Sequence, residues 1–580
     1  MRAGSWLKGK AVNSAAGGSN ACRRLSSGRE QALSASKPAA ASAGQRRYGR
    51  GCDSRNTVPM VAEAGRRSSE LVASRPLLFV GIFYNFAIGL VMVIVKWLFI
   101  GFLLGGILLP FLLYRRPQLP SGTNEKSPAY AFSEAELLID WTARRSGSEG
   151  APEQRIFDTI LGQIEAAETF LILDFFLWNP WRGAIEEDFD LRPLSGELAE
   201  ALLRKRQSHR EMPILVITDP INKIYGSHEP KYFNELRSAG ITVVYTDLKK
   251  MPDSNRFYAP LADFWSGLIP DWKRPLLPNL LNPKGAPMTL RELGHLLHLK
   301  ANHRKVLVAG LGENTRVLIG SLNPADGSAG HSNLALLVDG PVGRFAALSE
   351  LAVAEWSAGE VASVATCLRK IHGLLPEAGS AASVGPRVAW RSEGQIRETL
   401  LKELSQAGVG VQVDVALFYL SDRRGIEALK DAARRGASLR ILLDPNKDAF
   451  GRVKNGIPNR PVAAELMALH DAHGLTVRWA DTRGEQFHAK ALRVLGGGRD
   501  LLFLGSGNWT NRNIGNSNLE ANLLLSEAGP VGQNFDQYFE KVWANRGGLE
   551  ASLPYAAWAD SGLLKRTFYR FQEWSGASTF

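Results

Sequence analysis

Two short stretches of the chain hold residue types able to grip an anion and move a proton or a bond on it. His303-Arg304-Lys305 is followed, after an apolar run, by Gly320-Ser321-Leu322-Asn323; His488-Ala489-Lys490 is followed by Gly505-Ser506-Gly507-Asn508. In both copies the lysine precedes the serine by 16 residues, and every matched pair is separated by 185 positions. An imidazole titrates near neutral pH and can serve as nucleophile, acid or base. Ammonium and amide groups can hold charged oxygens. A single H-x-K or a single GSxN turn carries no weight, but two copies in one register do.

The elements that must position these groups follow from the spacing. Apolar, β-branched runs (VLVAG and ALRVL) follow each H-x-K, so each motif should open a strand. Side chains at i and i+2 of a strand share a face, which points His303 with Lys305 and His488 with Lys490. VLIGS and LLFLGS read as the neighbouring strands of two hairpins, ending where glycine lets the chain turn. Two ordinary hairpins with polar tips would also fit this pattern. They would not explain a duplicated lysine on an apolar strand, because buried lysines are rare without a partner.

Helical stripes alternate with apolar strands through both halves, which predicts a largely parallel α/β sheet. In the first half, helix patterns lead to FLILDFFLW, PILVITDP and ITVVYTD. The second half replays the order through VQVDVALFYL, LRILLDP and LTVRWAD. Asp219-Pro220 matches Asp444-Pro445 at an offset of 225, so the first half carries about forty extra residues, around 249–297. That excursion mixes Phe257, Tyr258, Phe264, Trp265, Leu268, Ile269 and Trp272 with prolines. It reads either as a lid or interfacial segment or as an ordinary packed excursion, and the tail LLKRTFYRFQEW admits the same two readings.

Composition narrows the partners. The net charge is +12, but residues 1–59 hold eleven Lys/Arg and two acids, leaving +3 for the other 521 residues. No broad basic body is implied, and no nucleic-acid partner is expected. Three scattered cysteines form no C-x-x-C or disulfide framework, and no H-E-x-x-H is present, so no metal or other cofactor is inferred. Residues 1–76 read as a disordered basic tail; for 1–59 a transit peptide or an over-extended start before Met60 are the other readings. Residues 77–95 and 97–114 are apolar runs broken only by Lys96, each long enough to cross ~30 Å of hydrocarbon as a helix. One or two spans are possible, and basic residues on both flanks suit two spans with both ends cytoplasmic.

The doubled motif resembles the phospholipase D superfamily, whose signature is H-x-K followed by GSxN, twice per active site. The likeness covers roughly 128–546. The membrane segment ahead of it is similar to the arrangement in bacterial cardiolipin synthases. One departure is plain: the family's aspartate five residues after each lysine is replaced by Gly310 and Leu495. The resemblance implies an α/β pseudo-dimer of two similar mixed-sheet halves behind an N-terminal transmembrane region. Its expected boundaries are 77–114 for the membrane region, 115–127 for a linker, 128–372 and 388–546 for the halves, 373–387 between them and 547–580 for an amphipathic tail. His303, Lys305, Ser321, Asn323, His488, Lys490, Ser506 and Asn508 would form one site. There one histidine attacks phosphorus, the other moves protons, and the lysines and asparagines hold the non-bridging oxygens.

Family members place an acid about thirty residues after the histidine. Glu520 fits His488, while the same step from His303 lands on Ala335, so Glu520 is expected to orient His488. The implied activity is that of a membrane-bound phosphatidyltransferase acting on phospholipid. A hydrolase using water, or a degenerate lipid-binding scaffold, are the alternatives. The implied location is a bacterial inner membrane, with the catalytic unit at its cytoplasmic surface.

Overall fold

The computed structural model describes residues 75–141, 144–145, 153–183, 191–226, 228–266, 274–280, 285–449 and 452–579. The apolar runs at 77–95 and 97–114 merge into one helix, α1 (Arg75–Leu113), which continues through Lys96 without a turn. Its stretch Phe83–Leu113 is long and apolar enough to cross a membrane, and almost all of its side chains are exposed. Up to Leu90 the chain forms one unit, and Val91–Phe580 form the other. The basic tail and Leu268, Ile269 and Trp272 lie outside the described residues.

Seven strands carry the first half: β1 (Glu134–Asp140), β2 (Leu171–Phe175), β3 (Ile214–Thr218), β4 (Thr242–Tyr245), β5 (Lys305–Leu311), β6 (Asn314–Gly320) and β7 (Asn333–Asp339). Seven matching strands carry the second: β8 (Arg387–Ser392), β9 (Val411–Leu417), β10 (Ser438–Leu443), β11 (Thr476–Ala480), β12 (Lys490–Gly496), β13 (Arg499–Gly505) and β14 (Ala521–Ser526). The first sheet runs β1-β7-β6-β5-β2-β3-β4. The second runs β8-β14-β13-β12-β9-β10-β11, with Tyr130–Ala131 added at one edge and Ser552–Pro554 at the other.

The sheets are mixed, not largely parallel. Only β2-β3-β4 and β9-β10-β11 pair parallel; the H-x-K hairpins, with β1, β7, β8 and β14, pair antiparallel. Helices feed the parallel strands, as right-handed crossovers require, whereas a strand followed by a tight turn can only return antiparallel.

Each sheet buries both faces, which is why its strands read as continuous apolar runs. One face of the first sheet packs Leu171, Leu173 and Val216 under helices Arg155–Ala166 and Leu194–Ser208. The second sheet does the same with Val413, Val415 and Ile441 under Gly394–Ser405 and Arg423–Arg434. The opposite faces meet in one shared core. Ile172, Ile217, Val306 and Ile319 come from the first half, Val388, Ala416, Leu504 and Leu523 from the second. The tail helix Leu563–Ser575 buries Tyr569 in the second-half core.

Candidate active site

Lys305 opens β5 and Lys490 opens β12, as the periodicity predicts, and each histidine lies two residues upstream on an extended approach. These approaches pair across the seam between the halves. His303 N donates to Leu519 O at 2.9 Å and Leu519 N to Ala301 O at 3.0 Å. In the other half His488 N donates to Ser332 O at 2.9 Å and Ser332 N to Gln486 O at 3.1 Å. The two Asp-Pro motifs hold the same approaches from below. Asp219 Oδ2 accepts the Asn302 N–H at 2.8 Å, and Asp444 Oδ2 accepts the Phe487 N–H at 2.8 Å.

Each ammonium reaches back to the carbonyl of its own histidine, at 2.7 Å for Lys305 and 2.6 Å for Lys490. A phenylalanine lines each pair. The Phe176 ring lies 4.7 Å from that of His303 and 5.0 Å from Lys305 Nζ; Phe418 lies 5.1 Å from the His488 ring and 5.2 Å from Lys490 Nζ. Sequence reasoning missed both phenylalanines. Their signal was position: each directly follows the strand paired to an H-x-K strand.

The serines of the GSxN turns bind the next element. Ser321 Oγ donates to Asn333 Oδ1 at 3.0 Å and accepts from Leu334 N at 3.1 Å. Ser506 Oγ donates to Glu520 Oε2 at 2.5 Å and accepts from Ala521 N at 3.0 Å. Gly320 and Gly505 are needed because a Cβ would come within 2.6 Å of Leu334 O and 2.2 Å of Ala521 O. Asn323 Oδ1 sits 3.4 Å from Leu177 N, and Asn508 Oδ1 is buried with no hydrogen-bond donor.

The expected partnership of Glu520 is corrected. Glu520 Oε1 lies 2.7 Å from Nδ1 of His303, in the other half, off the line of an ideal hydrogen bond. His488 Nδ1 faces Asn333 Oδ1 at 3.2 Å instead. Ala335 sits on β7 opposite Gly320 and Leu138, away from this role. The shared tripeptide Ser-Asn-Leu, at 332–334 and 517–519, keeps the offset of 185 and invites the wrong match. The backbone instead pairs β7 and β14 to the GSxN turns at an offset of 187, making Asn333 the counterpart of Glu520.

Asn333 Nδ2 donates to His331 O at 3.0 Å, which turns its Oδ1 toward both Ser321 and His488. An amide oxygen can only accept there, so His488 carries its proton on Nδ1 and leaves Nε2 free to act. Glu520 favours the same tautomer in His303.

Burial dominates the electrostatics. It holds His303 and His488 well below the usual imidazole range, helped by the positive charges of Lys305 and Lys490. His331, beside His488, is pushed down to about 3 by burial. Burial lowers Lys305 to about 7 against the opposing pull of Glu520, and it lowers Lys490 well below its normal value, with Lys305 adding to the effect. Glu520 is raised to about 7 by burial, though Lys305 and its hydrogen bonds oppose this. Two buried lysines whose charged forms are disfavoured by burial make a site in which a bound anion would stabilise the ammonium state.

A buried ion network closes the seam behind the site. Arg304 is fully buried and reaches Glu350 of the first half at 3.2 Å and Glu393 of the second at 2.7 Å. Glu393 also accepts the backbone N–H of Glu520 at 3.2 Å. At the positions of the absent aspartates, Gly310 lies under Thr169 and Phe170 with no room for a Cβ, and Leu495 is partly exposed.

Residues 400–543 match the family model described as "Cardiolipin synthase, PLD-like domain". No curated protein matches the chain. Among solved structures, phosphatidylserine synthase of Haemophilus influenzae Rd KW20 is similar at 9% identity over 78% of this chain and 96% of its own, with a TM-score of 0.48. The phospholipase D family member Nuc of Salmonella typhimurium is similar at 16% identity over 29% of this chain and 98% of its own, with a TM-score of 0.23. Polyphosphate kinase of Porphyromonas gingivalis is similar at 12% identity, covering 80% of this chain and 57% of its own, at a TM-score of 0.39. The matched domain contains the second H-x-K and GSxN, so residues 400–543 carry a phospholipase D-like domain, and the first half repeats both motifs on the same strand order.

Proposed function

We propose that the chain is a membrane-bound phosphatidyltransferase resembling cardiolipin synthase, acting on phospholipid phosphodiesters through a phosphohistidine. The halves at 128–372 and 388–546 would form the catalytic unit at the membrane surface, with α1 as its anchor. The observation that carries this reading is the contact of Glu520, from the second half, with His303 of the first. It joins two incomplete motifs into one site.

The unequal partners divide the work. A phosphorylated imidazole ring is cationic, and a carboxylate on its Nδ1–H stabilises it, whereas the neutral Asn333 cannot do so for His488. His303 is therefore the nucleophile. Its Nε2 forms a bond to phosphorus as the P–O bond to the leaving alcohol breaks. His488, protonated as the substrate's negative charge enters the cleft, gives its Nε2 proton to that alcohol. An acceptor hydroxyl then returns its proton to His488 while its oxygen bonds to phosphorus and the P–N bond breaks. Lys305, Lys490, Asn323 and Asn508 hold the non-bridging oxygens as charge builds in each transition state.

The test is labelled phosphatidylglycerol with the purified full chain in detergent, with the products separated. A tetra-acyl product, with an acid-labile phosphoryl adduct absent from His303→Ala, is the expected result. Diacyl phosphatidic acid alone would make the protein a hydrolase, and no product at all would leave a lipid-binding scaffold.

A further inference from the structure

Just past the end of α1, Arg116, Arg256 and Arg512 converge on one small pocket that opens to solvent. Ser254, Ser517 and Ser578 also line it, and Glu573 is the one carboxylate among its lining residues. That acid is already committed: its oxygens accept Asn511 N and Ser421 Oγ at 2.7 Å each, and burial raises it to about 7. Asp253, nearby, is engaged by Lys300 at 2.9 Å and His298 at 2.7 Å.

Among the described residues the hydrogen-bond partners of Arg116 and Arg512 are neutral. Arg116 donates to Ser517 Oγ at 2.8 Å, Arg512 donates to Ser578 O at 2.9 Å, and Arg512 Nε is buried without an acceptor. Burial lowers the Arg116 guanidinium, and charge repulsion from Arg256 adds to it. Asp253 acts on Arg116, and Glu520 and Glu573 on Arg512, only through space, so three gathered guanidinium groups still favour a directly bound anion.

An apolar cluster lies beside the pocket, where Arg256 N donates to Ser575 O of the tail helix at 3.0 Å. Next to Arg256 in sequence, Phe257 stacks with Phe571 at 6.4 Å and packs edge-on to Trp574 at 5.5 Å. These three rings remain 43%, 50% and 59% exposed; Phe571 and Trp574 lie on the face of the tail helix opposite the buried Tyr569 and Glu573, and Phe257 packs on them. Arg116 lies three residues beyond the apolar helix, and Tyr114 OH donates to Asp253 Oδ2 at 2.8 Å, which ties the pocket to the end of α1, the headgroup level of a membrane that α1 spans. Exposed aromatics beside clustered arginines match a phospholipid, with apolar body and anionic head, better than a soluble phosphate.

We propose that this pocket and the aromatic cluster beside it bind an anionic phospholipid in addition to the one at the two-lysine centre. The phosphate lies among the arginines, and the glycerol and acyl chains lie against Phe257, Phe571 and Trp574. The site does not depend on which reaction runs at the histidines.

Native mass spectrometry of the full chain in detergent tests this, using His303→Ala to prevent turnover. Phosphatidylglycerol, phosphatidylcholine and glycerol 3-phosphate are the probes. Two phosphatidylglycerols should bind, and adding Arg116→Gln and Arg256→Gln should weaken one of them about tenfold or more. Trp574→Ala should weaken the same one, and phosphatidylcholine should not fill it. Arg256 is exposed, so Arg256→Gln alone tests the charge without risk to folding, and should weaken binding about fivefold. Two unweakened lipids in the arginine variants would overturn the proposal. So would glycerol 3-phosphate binding as tightly as the lipid and insensitive to Trp574→Ala, which would mark a soluble-ester site. Lys305→Ala with Lys490→Ala should remove only the other lipid; retention of both lipids there would count against the catalytic reading and leave the arginine result intact.

Discussion

His303 and His488 have the same sequence context and different neighbours, and the difference is one side chain. Glu520→Gln should cut turnover by about 10²-fold or more while leaving the fold intact, whereas Asn333→Ala should cost less. The two contacts predict distinct couplings. Glu520→Gln combined with His303→Ala should be little worse than His303→Ala alone, because both remove one unit. The pH profile supplies a second readout. Glu520 is raised from 4.5 to about 7, so it gains a proton as pH falls through about 7, and the rate should fall with it. Glu520→Gln should lack that acid limb. Stability should move the other way: a carboxyl with a raised folded pKa contributes stability below its unfolded value and loses it as pH rises through about 7. The stability difference between Glu520→Gln and wild type should therefore shift in the variant's favour between pH 5 and pH 8, as thermal unfolding would read.

At the scale of elements, the hairpins were legible because each is a local device. An apolar run, a glycine turn and an i, i+2 pair need nothing from elsewhere in the chain. The pairing of the site was not legible, because it depends on strands meeting across the seam, and a repeat with constant spacing suggests that each motif serves itself. A two-residue shift between the GSxN turns and the following strands was hidden by the Ser-Asn-Leu tripeptide. The Asp-Pro motifs lie between these cases. Their recurrence was visible, but their task, accepting the N–H before each histidine, appears only once the loops are folded. Asp219→Ala should leave that amide unsatisfied, costing about 1–3 kcal/mol in unfolding free energy. It should also lower kcat more than it raises KM, since the histidine, not the substrate, loses its support. An unchanged kcat would show that the approach strand holds its place without the carboxylate.

At the scale of the molecule, the two halves look alike but are not independent. Ile172, Val306 and Ile319 of one half share a core with Val388, Leu504 and Leu523 of the other. Arg304 is fully buried between Glu350 and Glu393, one acid from each half, so neither half alone can neutralise it as the whole chain does. Leaving such groups uncompensated costs about 3–5 kcal/mol for a broken buried pair, and exposing one face of a large apolar sheet costs more. Residues 388–579 produced alone should therefore lack a cooperative thermal transition and bind an apolar dye, while the full chain melts in a single transition. Glu393→Gln in the full chain should lower the melting temperature and also disturb catalysis, because Glu393 holds the backbone N–H of Glu520 as well as Arg304. A second half that folds cooperatively by itself would mean that the seam is an interface between finished domains. In that case the coupling between Arg304 and the site would have to run through the Glu520 loop alone.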